Sequence, residues 1–128
     1  MNITTGSNVS SRQELFGMQT VDNFELEIHN RKLKWELTDT WSSNDIHPNT
    51  NYLIEFKKIK NKYEISAYDV NTGTRAAYIT ASSGRTCKDE YLYLGVDKQN
   101  SGIEPFNGTI HCNGSYIKYN NKTFKFRI

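Results

Sequence analysis

NYLIEFKKIKNKYEISAYDV, residues 51–70, is the stretch on which the fold turns. Tyr52, Ile54 and Phe56 alternate with polar residues, Tyr63, Ile65 and Ala67 do the same, and Lys60-Asn61 separates the two runs. Period-two alternation sends successive side chains to opposite faces, so each run reads as a strand with one buried face and the pair as a hairpin.

The same pattern continues in both directions. Upstream, NFELEIH sets Phe24, Leu26 and Ile28 on one face and Glu25 and Glu27 on the other, and KLKWELT does likewise with Leu33, Trp35 and Leu37. Asn30-Arg31 between them suits a two-residue turn, because Asn tolerates positive φ. Downstream, DVNTGT turns the chain into RAAYITA, and YLYLGV is apolar on both faces, Leu92, Leu94 and Val96 against Tyr91 and Tyr93, as in a central or groove-lining strand. Short strands spaced by turns predict an all-β antiparallel sandwich with no helix longer than about two turns. The expected core is Phe24, Leu26, Ile28, Leu33, Trp35, Leu37, Ile54, Phe56, Ile65, Leu94, Ile110, Phe124 and Phe126.

At 128 residues the chain forms one domain, 1–128, since single cores of this size are the common case. No apolar run approaches the ~18–20 residues of a membrane helix, so no membrane partner is expected. The start, MNITTGSNVSS, lacks both the basic end and the apolar run of a secretory signal. A formal charge of +2 is too small to indicate nucleic acid by itself. Cys87 and Cys112 are too few for a disulfide scaffold and read as free thiols.

The closing segment YLYLGVDKQNSGIEPFNGTIHCNGSYIKYNNKTFKF resembles the last third of concanavalin-like (laminin-G-like) jelly-roll domains of phage tail and other phage structural proteins. The likeness lies in Leu94-Gly95-Val96, then Pro105-Phe106-Asn107-Gly108-Thr109-Ile110, then the Tyr116-Ile117 and Asn120 hairpin. TGSNVSSRQELFG and the Pro48-Asn49-Thr50 lead into YLIEF resemble the middle of the same domains. The chain departs from them at His111-Cys112, where Asp-Leu is usual, and in beginning where they already carry further strands. The resemblance therefore implies a jelly roll shortened at the N-terminus, with a strand edge near residues 115–128 left for a partner or a homodimer.

Some relatives of that fold are glucanases, so the spaced carboxylates Glu25 and Glu27 invite comparison with a catalytic strand. The third acidic residue of such a strand is missing after Ile28, and both glutamates are expected to face solvent. Asp69 and Asn71 have calcium-loop spacing, but Gly73 occupies a ligand position and Thr80 closes no such loop. His29, His47 and His111 fit neither a metal-ligand spacing nor a catalytic triad. Neither catalysis, a metal nor a cofactor is expected.

Binding residues are sought among the aromatic and charged side chains. Trp41 lies in the polar segment TDTWSSNDIHPNTN beside Asp45 and His47, where no strand pattern buries a large ring. Tyr68, Tyr78, Tyr91 and Tyr93 occupy the less apolar faces of neighbouring runs, either as a floor for a ligand or as a second packed layer. Lys57, Lys58, Lys60 and Lys62 surround one hairpin, while Lys118, Lys122, Lys125 and Arg127 decorate the last. Such lysines guard strand edges or meet an acidic partner. The reading is a non-catalytic, phage- or prophage-derived module that recognises a glycan or a protein surface. Its alternative is a small phage-encoded anti-CRISPR inhibitor of an RNA-guided, RNA-targeting (type VI) effector complex. The corresponding places of action are the virion and the host cytoplasm.

Overall fold

The computed structural model describes residues 1–18, 23–85, 93–95, 104–119 and 122–125, with 117–119 and 122–125 as backbone only. Among the described residues twelve strands follow in order: β1 Asn2–Thr5, β2 Gln13–Gly17, β3 Glu25–His29, β4 Lys32–Trp35, β5 Thr40–Trp41, β6 Asn51–Ile59, β7 Lys62–Asp69, β8 Arg75–Ser82, β9 Tyr93–Leu94, β10 Gly108–His111, β11 Tyr116–Tyr119 and β12 Lys122–Lys125. Sheet A has the order β10-β1-β6-β7-β8 and sheet B the order β5-β4-β3-β2-β9, while β11 and β12 pair separately. All pairings are antiparallel, and among the described residues the one helical piece is a 3-10 turn at Glu36–Thr38. The chain is an all-β sandwich, as its alternation implies.

Both expected hairpins close in two residues. Ile59 pairs with Lys62, and Lys60 adopts φ +55° between them. His29 pairs with Lys32 around Asn30 and Arg31, both at positive φ, the turn whose twist matches that of the flanking strands.

The sheets are joined by five aromatic rings. Phe16 and Trp35 come from sheet B, Phe24 from the position just before β3, and Phe56 and Tyr63 from sheet A. Trp35 sits at the centre, fully buried, with ring centroids 5.0 Å from Phe24, 5.1 Å from Phe56 and 5.2 Å from Tyr63. Tilted and edge-on rings at such distances add to the roughly 1.5–3 kcal/mol that burial of one large apolar side chain contributes.

Seven of the expected core residues are buried: Phe24, Leu26, Ile28, Leu33, Trp35, Ile54 and Ile65. Leu37, Phe56, Leu94 and Ile110 are only partly buried. Leu37 lies on the 3-10 turn, where alternation stops, and Ile110 on β10, at one end of the strand order of sheet A. The side chains of Phe124 and Phe126 fall outside the described residues. A bulge between Glu14 and Phe16 buries Leu15 and Phe16 together, which strict alternation does not foresee. Gly108 has a close-packing role, because a Cβ there would collide with the Thr4 carbonyl and the Phe106 ring. Cys112 is half-buried with a free thiol, and Cys87 lies outside the described residues.

Candidate functional site

The outer face of sheet B holds a row of cross-strand neighbours, Glu14, Glu27, Lys34 and Trp41. Glu25 and Glu27, expected to face solvent, are 3% and 0% exposed. The reason lies in what crosses this face. Arg12 donates to Glu27 Oε1 from Nε (2.9 Å) and Nη2 (2.8 Å), and it also approaches Glu25 (4.0 Å), Glu36 (3.8 Å) and Glu104 (3.3 Å). The Glu104 segment runs beside β2, its carbonyl accepting from the Glu14 N–H (2.9 Å). The hydrogen bond to Glu27 holds the Arg12 guanidinium above its already high ordinary pKa.

Carboxylate oxygens of Glu14, Glu25 and Glu27 lie within 4.8 Å of one another, close enough to share a cation. A guanidinium already bonds this group, so the arrangement is an internal ion-pair network. Lys34 extends it, with Nζ 2.7 Å from Glu36 and 3.4 Å from Asp39. Burial lowers the Lys34 pKa, but the hydrogen bond to Glu36 and the neighbouring carboxylates outweigh burial and leave it raised.

Trp41 ends this row on β5, a two-residue strand, whereas the sequence suggests a loop. Its ring lies 5.2 Å from His29 and under the Lys34 ammonium at 4.8 Å, and it remains 37% exposed. Asp45 accepts from Arg31 (2.6 Å) and Lys32 (3.0 Å), and the Arg31 bond chiefly holds its carboxyl below the usual range. His47 is exposed, and its backbone N–H donates to the Tyr52 hydroxyl at 2.8 Å. Ser7, Asn8, Val9, Arg31, Ile46 and His47 are among the residues that line a cleft of about 430 Å³. No Phe, Tyr or Trp lines it, and its arginine is held by Asp45.

Sheet A presents a different surface. Glu55 and Lys57 on β6, Glu64, Ser66 and Tyr68 on β7, and Arg75 and Tyr78 on β8 line a shallow depression of about 240 Å³. All but Arg75 alternate with the buried Ile54, Tyr63, Ile65, Ala67, Ala77 and Ile79 and so point away from the core, and a register shift between Ala67 and Tyr68 brings Arg75 opposite Tyr68. Ser66 faces Tyr78 across the ladder and Tyr68 faces Arg75, and the small Ser66 side chain between larger ones makes the hollow. The Arg75 guanidinium lies 4.0 Å from the Tyr78 ring centroid, which fixes a flat donor-rich plane at the rim.

The structure therefore separates the residues sought from sequence. Tyr68 and Tyr78 share the depression, Tyr93 belongs to sheet B, where it pairs with Gly17, and Tyr91 lies outside the described residues. Trp41, Asp45 and His47 do not line that depression. Lys57, Lys58, Lys60 and Lys62 cluster on the β6–β7 hairpin. Only the backbones of Lys118, Lys122 and Lys125 are described, and Arg127 is outside. Asp69 is used locally, accepting from the N–H groups of Asn71 (2.9 Å) and Thr72 (3.3 Å) to cap its own turn. His29, His47 and His111 occupy sheet B, a loop and sheet A. Sequence reasoning missed Glu55, Glu64, Ser66 and Arg75; the register of β7 on β8, which puts Ser66 opposite Tyr78, was the signal for them.

Comparison of the chain with family models, curated proteins and solved structures yields no match.

Proposed function

We propose that this β-sandwich is a non-catalytic glycan-binding module whose site is the depression across β6, β7 and β8. The observation that carries this reading is the composition of that hollow. It combines two tyrosines, the Arg75 plane on Tyr78, the Ser66 hydroxyl, and both charge signs, Glu55 and Glu64 against Lys57 and Arg75. A sugar ring offers hydroxyls that donate and accept around a weakly apolar face, and such a surface answers both. Aromatic rings and a guanidinium already held in place add contact area at little entropic cost. The sequence resemblance to concanavalin-like jelly-roll domains supports the same reading. The absence of catalysis is supported by the engagement of Glu27 with Arg12, which leaves the carboxylate strand committed to structure.

The test is a glycan array probed with wild-type protein, Tyr78→Ala and Arg75→Ser, run beside a pull-down from bacterial lysate. Binding to a defined set of glycans that weakens about tenfold in each variant supports the reading, a factor corresponding to ~1.4 kcal/mol. No glycan above background, or binding indifferent to both substitutions, overturns it. Capture of an RNA-guided nuclease with no glycan bound would favour the inhibitor alternative instead.

A further inference from the structure

The end of the sandwich next to this depression is strongly basic. Lys57, Lys58, Lys60 and Lys62 on the β6–β7 hairpin are all exposed, and the Ser83 N–H donates to the Asn61 carbonyl at 2.9 Å, which brings the exposed Arg85 to the same end. Against these five cations stand Glu55, 3.9 Å from Lys57, and Glu64, 3.2 Å from Lys62. The local excess of positive charge is larger than the formal +2 of the whole chain. Lys60 has no ion pair among the described residues, whereas Lys58, on the opposite face of β6 from the depression, lies 5.8 Å from the Tyr63 ring. The pairs made by Lys57 and Lys62 are exposed, and exposed pairs exchange readily for a better partner.

Backbone geometry adds a second observation. Lys60 adopts φ +55°, a conformation that glycine or asparagine takes far more readily than lysine. A two-residue turn with Asn61 beside it could hold the hairpin without a lysine there. The strained position puts a cation at the tip of this hairpin.

Resting on the glycan reading above, we propose that the ligand is an acidic polysaccharide: a neutral sugar ring fills the depression, and a carboxylate or phosphate group further along the polymer pairs with the hairpin lysines. The spacing suits a short oligosaccharide. Ser66 and Lys62 point to the same face four residues apart on β7, about 13 Å at ~3.3 Å per residue. Within the depression the charges balance, which favours an uncharged ring; at the tip they do not, which favours an anion. A strongly charged polymer with no neutral ring, nucleic acid included, would meet Glu55 and Glu64 along this route.

The experiment compares three probes of equal length by calorimetry: a uronate oligosaccharide, a phosphodiester-linked glycan and a neutral oligosaccharide of the matching sugar. Each is tested on wild type and on Lys60→Gln/Lys62→Gln, two exposed positions that do not line the depression. Wild type should bind at least one acidic probe about tenfold or more tighter than the neutral one. The double variant should lose that advantage while keeping its neutral-sugar affinity, and raised salt should act as the variant does. Preference for uronate or for phosphodiester identifies the acidic group. Equal binding of acidic and neutral probes, or an unchanged acidic affinity in the double variant, overturns this proposal while the glycan reading stands. Binding of single-stranded DNA that survives Tyr78→Ala also overturns it, because the tip would then be a general polyanion site. No binding of any sugar overturns both readings.

Discussion

On sheet B the outward row of Glu14, Glu27 and Lys34 lies beneath Arg12 and the Glu104 segment, while on sheet A the outward row of Glu55, Ser66 and Tyr78 borders an open hollow. Both rows arise from the same rule, polar residues at every second position of a strand. They differ in what passes over them. A charged row that is covered must satisfy itself internally and becomes part of the scaffold, whereas an uncovered one keeps donors and acceptors for a ligand. Function is accordingly sought on the face whose charges are held least tightly.

The sharpest way to break this comparison is to remove the cation that closes sheet B. Arg12→Met leaves Glu27, fully buried, without its guanidinium partner. Breaking a fully buried pair costs ~3–5 kcal/mol, and because the Arg12 side chain is 36% exposed the expected loss is about 2–4 kcal/mol in urea unfolding. A loss under ~1 kcal/mol would mean that the network does not hold the scaffold together.

A smaller effect concerns alkaline pH. The Lys34 pKa is raised in the folded state, so its contribution is complete below the unfolded value near ~10.4 and is lost as pH rises through the folded value. The Tyr52 hydroxyl, whose pKa is raised chiefly by burial, also favours unfolding as it ionises, so the two must be separated. Lys34→Met should be less stable than wild type at neutral pH and lose less stability on going above pH ~10. Parallel pH profiles of the two proteins would contradict the assignment to Lys34.

Strands β3, β4, β6, β7 and β8, both two-residue turns and the burial of Trp35 were legible because each depends on local alternation and on turn chemistry. Trp35 sits in register with Leu33, and the structure buries both. The fate of Glu25 and Glu27 was not legible, since it depends on Arg12 and Glu104, residues far apart in sequence that meet only after β2 and β3 pair. The hollow on sheet A was half legible. Tyr68 and Tyr78 stood out as rings on the less apolar face, but Arg75 could join them only through the bulged register between β7 and β8. The bulge in β2 hid Leu15 and Phe16 for the same reason.

Arg75→Ser tests the open face. The contact of its guanidinium with Tyr78 is worth ~0.5–1 kcal/mol at an exposed site, and no more than that should be lost in stability, while glycan binding falls about tenfold. A stability loss comparable to that of Arg12→Met would make the two faces equivalent and remove the ground for placing the ligand on sheet A.

The smallest effect, and the only one of opposite sign, belongs to Lys60. A side chain other than glycine pays ~1–2 kcal/mol for a left-handed backbone, and Lys60 stands at φ +55°. Replacement by glycine relieves that strain but enlarges the freedom of the unfolded chain, which takes back roughly 0.5–1 kcal/mol. The net expectation for Lys60→Gly is a gain of about 0.5 kcal/mol in urea unfolding together with weaker binding of acidic oligosaccharides. A stabilised variant that binds less well would show that the lysine is kept at the tip against the preference of the turn. A variant that gains stability and binds acidic sugar as wild type does would leave Lys60 without a role in recognition and move the anion's partner to Lys62 or Arg85.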